Sequence, residues 1–551
     1  MELATLTSRL PVSTPTSPNK KSLANIAGIV AIATLISKVF GLVRQVVLAS
    51  VFGVGQAYGA FQYASIIPSF FLILLGGING PFHSAIVSVL SKRDRTAAAP
   101  IMEAVSTLVG LILCMVSIGV FIFAPNLITL VAPGLLTKAP EVREIAIQQL
   151  RIMSPVAWFA GMIGIGFGAL NAADSYWLPS VSPLLSSVTI VVAVGALALT
   201  YGQDLLKPEF AMIGGAVLAG AFLTGTILQW IAQMLAQRQQ GLGSLRFRFD
   251  PKQEALGDVM QVMGPALFAS GMLQINVYTD MFFTSFLPKP EQAVSALDYA
   301  NLLVQTPLGI LSNMILIPFL PVFSRLTDPA SWDELKARIR QGILLTAVAM
   351  LPLGAIMLAL SKPIVRLVYE RGVFNPEASA LVASVLAAYA FGMFVYLGRD
   401  ITVRVFYALG DGTTPFRISI VNIFLNALFD FLLVKQFGVP GIVLATVGVN
   451  TISIVALVYF LDKRLEGVGW QNWFAPIVGL TGASFAGGSV SWWVAHQIGT
   501  LIATENFLTF AIQLVIASSA GLFVFLIIAL QLRIPEVKLF LDRMIGRFKK
   551  A

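Results

Sequence analysis

Two cations six positions apart, Lys38 and Arg44, interrupt an otherwise apolar stretch of the 551-residue chain. On a helix six residues rise about 9 Å and leave the two side chains pointing in broadly similar directions, a spacing that suits a pyrophosphate. The competing reading has both snorkel to head groups from opposite ends of the helix. Further along stand Arg399, Asp400 and Arg404. Asp400 and Arg404 can pair at a four-residue spacing, which leaves Arg399 for a ligand; alternatively the cluster simply ends an apolar stretch at an interface. Asp280, Asn426, Asp430 and Thr446 offer oxygens from three different apolar stretches. Hard cations take such ligands, which makes this set a candidate sodium site, against a hydrogen-bonded Asp430 or two acids near helix ends.

Other chemistry is poorly signalled. His83 and His496 are the only histidines, and neither has a Glu or Cys at metal-ligand spacing. No Gly-rich phosphate loop ending in Lys and Ser or Thr is present, which argues against ATP-driven transport by this chain alone. Cys114, the single cysteine, lies in an apolar run and is expected to be core packing. Gly76-Gly77-Ile78-Asn79-Gly80-Pro81 reads as a broken or flexible helix able to bend.

The elements that must position these groups are membrane spans. The chain is 57% hydrophobic and only 11% charged, far below the roughly 25% charged residues of soluble domains. Apolar runs of about 20 to 30 residues recur from Leu23 to Leu532, long enough for bilayer spans. The pattern predicts an all-α integral membrane protein with fourteen spans, near 24–50, 58–90, 103–124, 143–171, 179–201, 210–236, 256–287, 294–325, 339–361, 378–409, 415–435, 439–462, 473–497 and 506–531. In the two alternating sets of loops, Lys and Arg number about 22 against about 8, so both termini are expected to be cytoplasmic. The formal charge of +9 follows from this topology; the basic residues form no domain and interleave with no aromatics, so nucleic acid is not expected as a partner.

Phe167, Ala169 and Leu170 end span four as Phe406, Ala408 and Leu409 end span ten, and the same offset carries Pro68 onto Pro307. Six spans return the chain to its starting side, so the expected architecture is two six-helix lobes related by a parallel repeat, plus two extra helices. The lobes are placed at 23–237 and 256–462, and the extra helices at 473–531. Residues 1–22, polar and without an apolar core, read as a disordered cytoplasmic tail, with an organelle transit peptide as the alternative. Residues 533–551 carry Val537, Phe540, Leu541, Met544, Ile545 and Phe548 at helical spacing among Lys and Arg, as in an interfacial amphipathic helix on an anionic leaflet.

The run Ser37-Lys38-Val39-Phe40-Gly41-Leu42-Val43-Arg44 followed by Phe52-Gly53 resembles the opening of the MviN/MurJ lipid II flippases. The likeness continues through Gly168-Ala169-Leu170-Asn171 with Pro179 and Pro183, through Tyr369-Glu370-Arg371-Gly372-Val373-Phe374, and through Phe406-Tyr407-Ala408-Leu409-Gly410-Asp411 with Thr414-Pro415. It covers about residues 23 to 535. The resemblance implies a two-lobed flippase of the multidrug/oligosaccharidyl-lipid/polysaccharide exporter superfamily, with a central cationic cavity and two added helices lining a groove for the lipid tail. It implies transport of an undecaprenyl-pyrophosphate-linked disaccharide peptide across the bacterial inner membrane, and contact with cell-wall synthesis enzymes. No cofactor is implied beyond sodium as a coupling ion, at Asp280, Asn426, Asp430 and Thr446. The candidate substrate-binding set is Lys38, Arg44, Asn79, Arg399 and Arg404; in the resemblance Arg44 matches the span-one arginine and Lys38 stands where an arginine is usual.

The departures bear on cargo. No Lys or Arg occurs between Arg44 and Lys92, Gly59 replaces an acid, Asn79 replaces a glutamate, and Asn301 or Leu302 replaces an arginine. A cavity with fewer cations keeps two alternatives open: a flippase for an exopolysaccharide or O-antigen precursor, and a cation-coupled drug exporter. A membrane glycosyltransferase or polymerase is disfavoured because neither clustered acids nor a nucleotide loop accompany the spans.

Overall fold

The computed structural model describes residues 20–77, 81–90, 95–173, 175–243, 246–249, 257, 275–501 and 507–548, and among these no strand occurs. The helices are α1 (Lys20–Phe52), α2 (Gln56–Leu74), α3 (Pro81–Leu90), α4 (Arg95–Ile122), α5 (Ala124–Val131), α6 (Leu135–Lys138), α7 (Pro140–Met153), α8 (Val156–Ala172), α9 (Trp177–Val181), α10 (Pro183–Tyr201) and α11 (Pro208–Gln239). They continue as α12 (Ile275–Thr284), α13 (Pro290–Arg325), α14 (Trp332–Ala359), α15 (Ser361–Tyr369), α16 (Pro376–Ala408), α17 (Thr413–Phe437), α18 (Val439–Arg464), α19 (Gln471–Leu501), α20 (Phe507–Gln531) and α21 (Pro535–Phe548).

Among the described residues, ten helices are long and apolar enough to cross a membrane, or eleven when the pair α7 and α8, bent by 43°, is counted as one span. Helices α1 and α19 occupy the expected first and thirteenth positions. The expected seventh span, 256–287, lies mostly outside the described residues, and α12 is its described part. The polytopic all-helical class is therefore as the sequence predicts, and the plan of fourteen is consistent with it. Of the expected tail 1–22, residues 1–19 lie outside the described ones, while α1 already begins at Lys20.

Local signals explain several boundaries. Span two breaks after Leu74 at Gly76 and Gly77 and resumes at Pro81, a residue that suits the first turn of a helix because it lacks an N–H that would go unpaired there. Helix α16 starts at Pro376, with the Asn375 side chain accepting from the Ala378 amide at 2.8 Å.

Helices α1–α11 pack on one another, with α1 against α10, α2 against α7, and α3 and α4 against α8. A second group packs α13 and α14 on α16, α16 on α18, and α17 on α18. The pair α19 and α20 lies against α14. The amphipathic α21 docks on the same helix, with Val537 buried and Glu536 3.8 Å from Arg340. Buried amides find partners across helix pairs, as hydrocarbon requires: Gln149 donates to the Ala57 carbonyl at 3.0 Å and Gln233 to the Ser182 hydroxyl at 3.1 Å. Cys114 departs from expectation: it is exposed on α4 beside Met115 and Ile118, because an apolar residue is equally at home against lipid.

The turn between α16 and α17 is fastened by Asp411, which accepts from the Thr413 and Thr414 amides at 3.0 Å and from Arg464 at 2.7 Å. Burial pushes the Asp411 carboxyl up, but the Thr414 amide and hydroxyl, the Thr413 hydroxyl and Arg464 outweigh it and hold it down at about 2. A carboxyl held below its usual 3.8 contributes stability that is complete above that value and lost as pH falls toward 2. Asp411→Asn is therefore expected to lower the thermal midpoint at neutral pH in detergent, with the gap from wild type closing below pH 3.8.

Candidate functional site

The two helix groups enclose a cavity of ≈ 530 Å³. Its wall includes Gln62 of α2, Asp280 of α12, Asp298, Asn301 and Gln305 of α13, Tyr389, Tyr396, Arg399 and Asp400 of α16, and Thr446 and Asn450 of α18. Polar side chains from both lobes thus converge at membrane depth, where an isolated charge costs roughly 2.5–3.5 kcal/mol on insertion scales.

Arg399 meets that cost with hydroxyls from two neighbouring helices: its Nε donates to Ser453 at 3.0 Å and a terminal nitrogen donates to Ser419 at 3.4 Å. Asp400 does not form the expected pair with Arg404, since no ion pair within 4.0 Å joins them. Asp400 faces the cavity, whereas Arg404 stands one turn on, half-buried and outside the cavity wall. The oxygen-bearing residues come together. Asn426 donates from Nδ2 to Asp280 at 2.9 Å and to Asp430 at 2.9 Å, and Thr446 donates to the Asn426 oxygen at 3.4 Å. Asp430 is fully buried, and its second carboxylate oxygen has no hydrogen-bond partner. Three helices therefore present a set made of oxygens around one orphaned acceptor, chemistry that fits a small hard cation.

Arg44 is half-buried on α1 near Asp298, and its Nε has no hydrogen-bond partner. Lys38 crosses the seam between the lobes: its ammonium lies 3.1 Å from where a Cβ of Gly309 would stand on α13. Asn79 lies outside the described residues. His83 contacts Asn171 at 2.7 Å and His496 stacks on Trp492, far apart in the fold.

Gln45, Tyr58, Asp298 and Tyr299, which close the cavity, were not singled out from sequence. Hydrogen bonds between the lobes gather at the rim that holds the α1–α2, α5–α7, α12–α13 and α15–α16 connections, opposite the expected side of the termini. Tyr58 donates to Asp298 at 2.6 Å, Gln45 donates to the same carboxylate, Tyr299 donates to the Gly53 carbonyl at 2.9 Å, and the Val373 amide donates to the Ser50 carbonyl at 3.0 Å. Two glycines permit the approach. A Cβ at Gly59 would stand 2.5 Å from the Glu291 Cα, and one at Gly134 would collide with the Ser285 backbone, whose hydroxyl instead accepts from the Gly134 amide at 3.0 Å. Asp298 could have been found as an acid inside an apolar run; Gly59 gives no such signal in sequence.

A polar chamber between two helical lobes, sealed at one rim by hydrogen bonds between them, defines a two-lobed membrane transporter. A solved "Lipid II flippase MurJ, inward closed conformation" shares the fold with a TM-score of 0.71 at 22% identity, covering 91% of this chain and 97% of that one. An inward-facing multidrug resistance MATE family transporter of the MOP superfamily follows at TM-score 0.61 and 16% identity, over 80% of this chain and 98% of that one. The family model described as "Lipid II flippase MurJ" matches residues 48–527. A "probable lipid II flippase MurJ" of Synechocystis sp. is 52% identical over 543 residues, 98% of this chain and 100% of that protein. The chain belongs to the lipid II flippase MurJ family.

The rim contacts predict a packing test. In a Cys114→Ser background, cysteines at positions 50 and 373 should form a disulfide readily. Gly59→Val, by wedging α2 from α13, should abolish most of that cross-link, read on a non-reducing gel.

Proposed function

We infer that this protein translocates lipid II from the cytoplasmic to the outer leaflet of the bacterial inner membrane, by alternating access and for cell-wall synthesis. The observation that carries this is the membrane-depth polar cavity, lined by Arg399 and by Asp298 at the rim that shuts it, in a chain of this family. With both termini cytoplasmic, the topology that the distribution of Lys and Arg supports, the sealed rim faces outward and the cavity receives its cargo from the inner leaflet. The protein acts as a transporter and not as an enzyme.

In this reading the pyrophosphate enters between the lobes and meets the span-one cations, with Arg44 offering its unpartnered Nε. Arg399, already oriented by Ser453 and Ser419, stands on the opposite wall. Asn79 and Arg404 belong to the same proposed path. The isoprenoid tail stays in lipid, with α19 and α20 proposed to flank it. An inside-negative potential favours outward movement of each negative charge by roughly 2.3 kcal/mol per 100 mV. Sodium held by Asp280, Asn426, Asp430 and Thr446 would neutralise the two acids of the second lobe and bias the return step. Cell-wall synthesis enzymes would receive the flipped precursor at the outer surface.

Rescue of a strain depleted of its lipid II flippase tests the cargo; an inserted protein that never rescues would exclude lipid II, and a drug exporter would change drug tolerance instead. In reconstituted vesicles Arg44→Ala should slow lipid II translocation about 10- to 100-fold, the scale of one charge-assisted hydrogen bond. Asp430→Ala should leave a residual rate indifferent to replacement of sodium by potassium.

A further inference from the structure

The contacts across the sealed rim are unequal, because several converge on one carboxylate that is also part of the cavity wall. Asp298 lines the cavity from α13 and accepts from Gln45 and Tyr58 of the opposite lobe, while Gln45 also donates to the Tyr58 oxygen at 2.6 Å. Gln62, another cavity residue, stands beside it on the wall. The rings behind this cluster stack, Tyr58 on Tyr299 at 5.0 Å, and Tyr299 in turn donates to Gly53. Loosening Asp298 would therefore loosen the whole contact between α2 and α13.

Arg44 adjoins Gln45 in sequence and acts on Asp298 through its charge, yet no ion pair within 4.0 Å joins them and the Arg44 Nε is buried without a partner. A guanidinium has five donors in a fixed plane and no acceptor, so a buried N–H left open is costly and awaits an acceptor. Asp298 supplies the nearby negative charge in the closed state without saturating the cation.

We propose that Asp298 is the latch of the outer gate, and that it competes with the anionic head group of the cargo for Arg44. The proposal rests on the flippase reading above. In the empty cavity Asp298 balances Arg44 and holds Gln45 and Tyr58, so the rim stays shut. When a pyrophosphate docks on Arg44, two anionic groups face one cation in a medium of low dielectric, where their repulsion is strong. The carboxylate is displaced, the bonds to Gln45 and Tyr58 are lost, and the closed state loses its advantage. The cargo thus binds the opening state better than the closed one, which is the thermodynamic condition for driving the transition. Asp298 is a positioning residue here; it acts on transport through the gate.

The test uses the full chain in vesicles of one orientation, in a Cys114→Ser background with Val304→Cys as a reporter in the cavity wall. Labelling by a membrane-impermeant maleimide from the outer side reads the gate. Lipid II should raise the labelling rate of this parent, and a polyprenyl alcohol without phosphate should not. Asp298→Asn and Tyr58→Phe should each raise the rate without cargo by roughly fivefold, the scale of one lost hydrogen bond, and make it insensitive to lipid II, whereas Asp298→Glu should restore both closure and response. Labelling of Asp298→Asn and Tyr58→Phe at the parent rate would overturn the latch. If the parent translocates lipid II but its labelling ignores lipid II, the competition is overturned while the flippase reading stands. If the variants open as expected but the parent translocates no lipid II, the latch stands and the cargo reading fails.

Discussion

A guanidinium at the depth of Arg399 is tolerated in a bilayer only because other helices supply it with partners, and that requirement shapes the rest of the molecule. Hydrocarbon offers nothing to a donor or acceptor, so polar side chains are driven to the inner faces of the two lobes, where Ser453, Ser419, Asn426 and Thr446 answer the charges of Arg399, Asp280 and Asp430. Outer faces need no such provision. Phe485, Phe523 and Val515 stand exposed to lipid on the last two spans. The central chamber gathers Asp280, Asp298, Arg399 and Asp400 in one wall, a charged surface that suits a charged passenger.

The same economy governs how the lobes meet. A permanent interface would bury large apolar side chains in interlocking fashion, as the interior of each lobe does. The rim adds to its buried rings, Tyr58 against Tyr299, close backbone approaches at Gly59 and Gly134 and a handful of hydrogen bonds. The hydrogen bonds are specific in register and modest in strength, and parting the lobes also separates Tyr58 from Tyr299. Closure and release then depend on polar groups shared by the rim and the chamber, Asp298 above all.

Much of this was legible in the chain. Span positions follow from apolar run length, and the clustering of Asp280, Asn426, Asp430 and Thr446 follows from the rarity of oxygen-bearing side chains inside spans, which leaves them few partners besides one another. The rim was not legible. Tyr58 and Asp298 are 240 residues apart, and nothing local marks them as neighbours. Gly59 reads in sequence as a missing acid, whereas its role is steric, set by Glu291 of the other lobe. Asp400 and Arg404 have the spacing of a helical ion pair but do not form one, because the cavity draws the acid inward. Cys114 misled because burial in protein and contact with lipid demand the same apolar character.

The central claim is that the anionic head group, held between the lobes, converts a structure shut at its outer rim into one open there. Spin labels at the outer ends of α2 and α13, with distances measured in vesicles, address it most directly. The account predicts a short distance in the empty protein and a second, longer population on adding lipid II, with none on adding the phosphate-free polyprenyl alcohol. A single short distance that persists with saturating lipid II under transport conditions would contradict it.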